Sequence, residues 1–150
     1  MISFLKKYFF KSKKKIKDCH ILVAEDNKFS RMITSEILKD MGCSIDIVTD
    51  GSLALEAVQQ KNYDLVFMDV RMPVMNGFKA AEEISDLVSA KMIKPFPVIA
   101  LTADVMKEDE WRCIAAGMTD YISKPIRKDE LKRVVLKHLP SNKCNKQKVA

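Results

Sequence analysis

The sequence of 150 residues is poor in glycine, with four, and has one tryptophan, two histidines and no CxxC pair among its four cysteines. Cys19, Cys43, Cys113 and Cys144 are widely spaced, and with so few histidines beside them they do not read as a structural zinc site. Long apolar runs are missing too. The runs stop at four residues, as over 65–68, against the roughly 20 that a membrane-spanning helix requires. Lysines break up the aromatic N-terminus before the apolar stretch of a secretory signal accumulates, so the expectation is a cytoplasmic chain with free thiols. Disorder throughout is excluded by a composition of 47% hydrophobic and 31% charged residues.

Acid is absent from both ends. The formal net charge is +6, yet residues 1–17 hold seven lysines and residues 141–150 three more, with no Asp or Glu in either. The stretch between them has sixteen basic against twenty acidic side chains. The whole-chain charge therefore does not argue for a nucleic-acid-binding domain. The expected organisation is a basic N-terminal extension over 1–17, one domain over 18–140 and a basic tail over 141–150, with no room for a DNA-binding output module.

From about residue 20 one pattern occurs five times: a short apolar run, a polar loop, then a segment of helical spacing. Such alternation predicts a doubly wound α/β domain, a five-stranded parallel sheet with five helices. The first run is His20 to Ala24; its helix carries Phe29, Met32, Ile33, Ile37, Leu38 and Met41 at three-four spacing, with Asn27 as N-cap and Gly42 as stop. Residues 44–49 alternate, as in a strand exposed on one side, and precede a helix near 52–60. Residues 65–68 are wholly apolar, as in a strand buried on both faces, and end at Asp69. A Pro73 and Asn76-Gly77 loop leads to a helix ending near 90. The fourth strand, from Val98, ends at Thr102 and is followed by a helix over about 105–116; the fifth, Tyr121 to Ser123, ends at Lys124-Pro125 and precedes a helix over about 127–138, with Leu131, Val134, Val135 and Leu136 as its apolar positions.

Ligands of an open parallel sheet bind at the carboxyl ends of its strands. Those ends present Glu25 and Asp26, Asp69, Thr102 and Lys124. Singly, each reads as a helix cap or a loop residue. Together, the three carboxylates form a hard oxygen set suited to Mg²⁺, and the hydroxyl and ammonium supply a hydrogen bond and a point charge for phosphoryl oxygens.

The stretches Val23-Ala24-Glu25-Asp26-Asn27, Met68-Asp69-Val70-Arg71-Met72-Pro73-Val74-Met75-Asn76-Gly77, Ala100-Leu101-Thr102-Ala103 and Ala116-Gly117-Met118 through Tyr121-Ile122-Ser123-Lys124-Pro125-Ile126 resemble the receiver domain of two-component response regulators. The resemblance covers roughly 19–139 and is nearest in character to receivers attached to hybrid sensor kinases. It implies a flavodoxin-like fold of strand order 2-1-3-4-5. It implies Asp69 as phosphoacceptor from a histidine of a kinase or phosphotransfer protein, and Mg²⁺ held by Asp26, Asp69, the Arg71 carbonyl and, through water, Glu25. Thr102 and Lys124 would meet phosphoryl oxygens, Tyr121 would be a switch aromatic, and Lys124-Pro125 a cis bond. A downstream protein would read the switch around the fourth helix, fifth strand and fifth helix.

The chain would then catalyse only its own phosphorylation and dephosphorylation. Asn76 stands where the resemblance often has Asp, with little effect expected, and Arg71 and Asp104, at places that flank the path of attacking water, could pair across the site and slow hydrolysis, the alternative being two solvated side chains. Two rivals remain: a degenerate receiver serving as a phosphorylation-independent scaffold, and a phosphatase with an aspartate nucleophile, which wants a second Asp where Arg71 stands. If residues 2–11 were helical, Ile2, Phe4, Leu5, Tyr8 and Phe9 would fall on one half and lysines on the other, a pattern suited to an anionic membrane surface. A solvated tail or a protein-docking segment are the alternatives. Specific DNA binding is not expected, because lysine tails without a reading head give only salt-sensitive affinity.

Overall fold

The structure, a computed structural model, describes residues 16–103, 107–140 and 142–143. The segment over 2–11, Asp104 and most of the basic C-terminal tail lie outside the described residues. Five strands alternate with five helices: β1 (His20–Ala24), α1 (Lys28–Asp40), β2 (Ser44–Val48), α2 (Gly51–Gln60), β3 (Leu65–Asp69), α3 (Gly77–Ser89), β4 (Val98–Thr102), α4 (Lys107–Ala115), β5 (Asp120–Ser123) and α5 (Lys128–His138). All neighbouring strands are parallel, in the order β2-β1-β3-β4-β5.

Alternation along the strands divides the core between the two faces of the sheet. Leu22, Val66, Met68 and Ala100 meet Ala54 and Val58 of α2, Phe78 and Ile84 of α3 and Cys113 of α4. Ile21, Val23, Phe67 and Ile99 meet Ile37 and Leu38 of α1 and Leu131, Val134 and Val135 of α5. β3 and β4 are buried along their whole length, as their apolar runs predict.

Side chains cap three of the helices. Asn27, Asp50 and Asn76 accept from the backbone N–H of Ser30, Leu53 and Lys79, each at 2.9 Å, at about 1 kcal/mol of stabilisation apiece. Asn76 thus serves α3 as a cap. Gly42 and Gly117, with φ of 95° and 85°, close α1 and α4.

Three apolar patterns read more simply in sequence than they fold. In α1, Phe29 and Met32 are 65% and 51% exposed, because the stripe that meets the sheet is narrower than the apolar spacing. Leu136 of α5 likewise points outward. β2 lies at the sheet edge, so Ile45 packs on the core while Ile47 of the same face is exposed. Trp111 and Ile114 stand exposed on α4.

At the amino ends of the strands, Asp46 receives Tyr63 Oη at 2.7 Å and lies 3.1 Å from both Lys61 and His20. Asp120 is held by His138 at 2.8 Å. Residues on either side of the domain meet there: Lys17 N–H donates to the Lys143 carbonyl at 3.1 Å, and Lys143 Nζ to the Asp18 carbonyl at 2.6 Å. Among the described residues no helix is long and apolar enough to cross a membrane.

Candidate functional site

Strand order reverses between β1 and β3, and their carboxyl ends bring Glu25, Asp26 and Asp69 together. One oxygen from each lies within 4.8 Å of the others. Glu25 is fully buried, Asp69 is 3% exposed, and Asp26 faces solvent. Backbone hydrogen bonds continue the ladder into this rim and fix its positions: Glu25 N–H to the Val48 carbonyl at 3.0 Å, Val70 N–H to Leu101 at 3.1 Å and Lys124 N–H to Thr102 at 2.7 Å.

The loop after β3 folds tightly back on Asp69. Gly77 N–H donates to the Val70 carbonyl at 3.1 Å, and a Cβ on Gly77 would overlap the Asp69 carbonyl oxygen. Arg71 N–H donates to Asp69 Oδ1 at 3.1 Å, while its side chain is exposed. Lys124, joined to Pro125 by a cis peptide bond as the resemblance implies, reaches across from the end of β5. Its Nζ lies 3.0 Å from Glu25 Oε1, 2.8 Å from Oε2 and 3.2 Å from Asp69 Oδ2. Only the Oε1 contact is aligned as a hydrogen bond, so buried Oε2 has charge beside it and no aligned donor.

The electrostatics follow from this crowding. Burial, then the Glu25 carboxylate, raises the pKa of Asp69; partial desolvation, then Asp69, raises that of Asp26. For Lys124, burial opposes the cation but the hydrogen bond to Glu25 and the charge of Asp69 outweigh it, so its pKa is raised. A set of hard oxygens whose mutual repulsion is incompletely offset, with one oxygen lacking a donor, fits a divalent cation with open positions. A cavity of about 430 Å³ opens between Asp26, Asp69, Arg71 and Lys124, which leaves room for the cation's remaining ligands.

Thr102 ends β4, 3% exposed. Tyr121 pairs with Ala100 in register and packs, half-buried, at the rim of the core, so it shares a sheet face with Thr102. Every site residue read from the strand ends is thus gathered at one rim. Asp104 lies outside the described residues, which leaves its pairing with Arg71 an expectation. The sequence reading missed Arg31, whose guanidinium donates to the carbonyls of Asp26 at 2.9 Å and Glu25 at 3.3 Å. It clamps the acidic turn, and an arginine one turn into a helix carries no signal for that role.

Known proteins share this arrangement. The response regulator receiver domain family matches residues 21–136. Hybrid signal transduction histidine kinase L of Dictyostelium discoideum is 38% identical over 121 residues, covering 79% of this chain but 7% of that protein's length. The crystal structure of the receiver domain of sensor histidine kinase PA1611 from Pseudomonas aeruginosa, with a magnesium ion in its active-site cleft, is 33% identical, with a TM-score of 0.71 over 80% of this chain and 96% of that one. The receiver domain of Saccharomyces cerevisiae Ssk1, crystallised with the phosphotransfer protein Ypd1, shares the fold at a TM-score of 0.81 and 23% identity, covering 89% of this chain and 97% of that one. With an acidic triad at the switch point, a lysine bridging it from β5 and a family match across the whole sheet, this chain belongs to the response regulator receiver domains of two-component systems.

Proposed function

We propose that Asp69 accepts a phosphoryl group from a phosphohistidine on a kinase or histidine phosphotransfer protein. The observation that carries this reading is the setting of Asp69: a buried carboxylate at the mouth of a cavity, between two other carboxylates and 3.2 Å from an ammonium. Asp26 and Asp69, the Arg71 carbonyl and, through water, Glu25 would hold Mg²⁺, which supplies charge to offset that of the transferring group. Lys124 orients one phosphoryl oxygen and the Thr102 hydroxyl another, so that the chain contributes chiefly position and electrostatics.

The readout is a population shift. Phosphoryl oxygens favour the position in which Thr102 leans towards them, and Tyr121, on the same face, takes the space vacated. A partner protein then reads the surface of α4, β5 and α5, while exposed Phe29 and Met32 on α1, the helix that follows Asp26, offer apolar contact to the donor. The binding of Ssk1 to a phosphotransfer protein supports a donor of that kind. The receiver unit would occupy 18–140, and it would turn over no substrate beyond its own phosphoryl group.

Incubation with a small phosphodonor and Mg²⁺, followed by intact mass measurement, tests the proposal. The expected result is a single phosphoryl adduct, lost with chelator and in Asp69→Ala. Absence of any adduct in the folded protein points instead to a phosphorylation-independent scaffold.

A further inference from the structure

The geometry points to Cys19 and Cys43 as a dithiol modification site, which a hydroperoxide converts to a disulfide. This goes beyond the phosphoacceptor reading and does not depend on it. Cys19 stands immediately before β1 and Cys43 immediately before β2. Ser44 N–H donates to the Cys19 carbonyl at 2.9 Å, which carries the parallel ladder one step below the His20 and Ser44 pair and sets Cys19 opposite Cys43. Both side chains enter the core cluster of Ile21, Val23 and Ile45, so both point to the α1 face of the sheet, whereas Cys113 belongs to the other face. Neighbouring strands lie about 4.8 Å apart, inside the Cα separation of roughly 4.4–6.8 Å that a disulfide spans.

The two thiols are hydrogen-bonded to each other and are not equivalent. Donation to Cys43, then burial, raises the pKa of Cys19; accepting that bond lowers the pKa of Cys43 against the opposing effects of burial and of the Asp64 carboxylate. Cys43 is therefore the nucleophile. β2 is an edge strand, so a small oxidant reaches Cys43 from the side that no other strand covers. The Cys43 thiolate attacks one peroxide oxygen: an S–O bond forms, the O–O bond breaks, and water or an alcohol leaves. The Cys19 sulfur then attacks the Cys43 sulfenic acid: the S–S bond forms, the S–O bond breaks, and the departing hydroxide takes the Cys19 proton and leaves as water. Two thiols lose two electrons, and one peroxide gains them. The bond ties the start of β1 to the start of β2 and closes 19–43 into a ring that carries α1 and the acidic turn of Glu25 and Asp26.

Treatment of the folded full chain with hydrogen peroxide, followed by alkylation, trypsin and peptide mass measurement, tests the inference. Trypsin separates the two cysteines at Lys28, Arg31 and Lys39, so a bond between them appears as a linked peptide pair, about 2 Da lighter than its reduced parts and released by dithiothreitol. A second measurement asks whether the fold itself builds the pair. At one fixed ratio of reduced to oxidised glutathione, the ratio of disulfide to dithiol at Cys19 and Cys43 should be about tenfold or more higher in the native protein than in urea. Dimedone trapping then tests the order of attack: Cys19→Ala should leave a sulfenic acid adduct on Cys43, and Cys43→Ala should leave none on Cys19. The absence of a Cys19–Cys43 linked pair in the folded protein overturns the proposal, as does a disulfide ratio no higher in the native protein than in urea. An adduct on Cys19 and none on Cys43 overturns the assignment of the nucleophile.

Discussion

Lys124→Met keeps the four-carbon stem and deletes the ammonium, which isolates the role of charge in the acidic rim. The cation lies 2.8 Å from a Glu25 carboxylate with no solvent exposure and 3.2 Å from Asp69. At that separation an effective dielectric of about 20 gives a gross attraction of roughly 6 kcal/mol, part of which is offset by the desolvation of Lys124 itself. Removing one partner of a buried pair typically costs about 3–5 kcal/mol. With 21% of the lysine side chain in solvent, the lower end, about 3 kcal/mol, is expected. Against a total stability of roughly 5–15 kcal/mol and a urea slope of about 1–3 kcal/mol per molar, the midpoint should fall by about 1–3 M. Urea unfolding followed by circular dichroism in chelator measures it, first in the wild-type background and then with Glu25→Gln. In the second background Asp69 alone is stranded, at the longer distance of 3.2 Å, so the cost of losing the ammonium should be smaller than in the first. Added Mg²⁺ should restore more stability to Lys124→Met than to the wild type. An equal cost in both backgrounds would refute the charge argument and assign the effect to packing of the stem.

Gly77→Ala should be costly for a reason separate from charge. Its Cβ would overlap the Asp69 carbonyl oxygen and crowd Val70, so a loss of about 2–3 kcal/mol is expected together with loss of the phosphoryl adduct, read by thermal melt and intact mass. The carboxylates at the far end predict a pH dependence of stability. The Tyr63 hydrogen bond holds the pKa of Asp46 below the ordinary range, and at Asp120 burial is outweighed by the His138 hydrogen bond with the same result. A depressed folded-state pKa contributes stability that is present above the unfolded value near 3.9 and lost as pH falls through the folded value. Asp120→Asn should therefore unfold at lower urea than the wild type at neutral pH, and the difference should disappear in strong acid.

The fold and the rim were legible because the same residues encode both. Each apolar run that buries a strand ends where the chain must turn, and Asp69, Thr102 and Lys124 stand at those turns. What the sequence hid depends on distance in the chain. No local pattern pairs Lys124 with Glu25, 99 residues apart, or brings Asp46, Tyr63, Lys61 and His20 together. Helical spacing identified α1 but could not say that Phe29 and Met32 lie off the stripe that the sheet covers, since spacing records period and not which neighbour is present. β2 misled in a similar way: alternation implies one sheltered face, and an edge position left Ile47 exposed.

The chain has a single tryptophan, and its indole stands in water on α4, 72% exposed. Intrinsic fluorescence excited at the indole is therefore a report from one helix. Because the ring is already hydrated in the native state, unfolding changes its emission little, whereas a partner laid over α4 strips that water and shifts the emission to the blue. The unlabelled protein thus carries its own optical probe of contact at this helix, one that remains nearly silent to global denaturation.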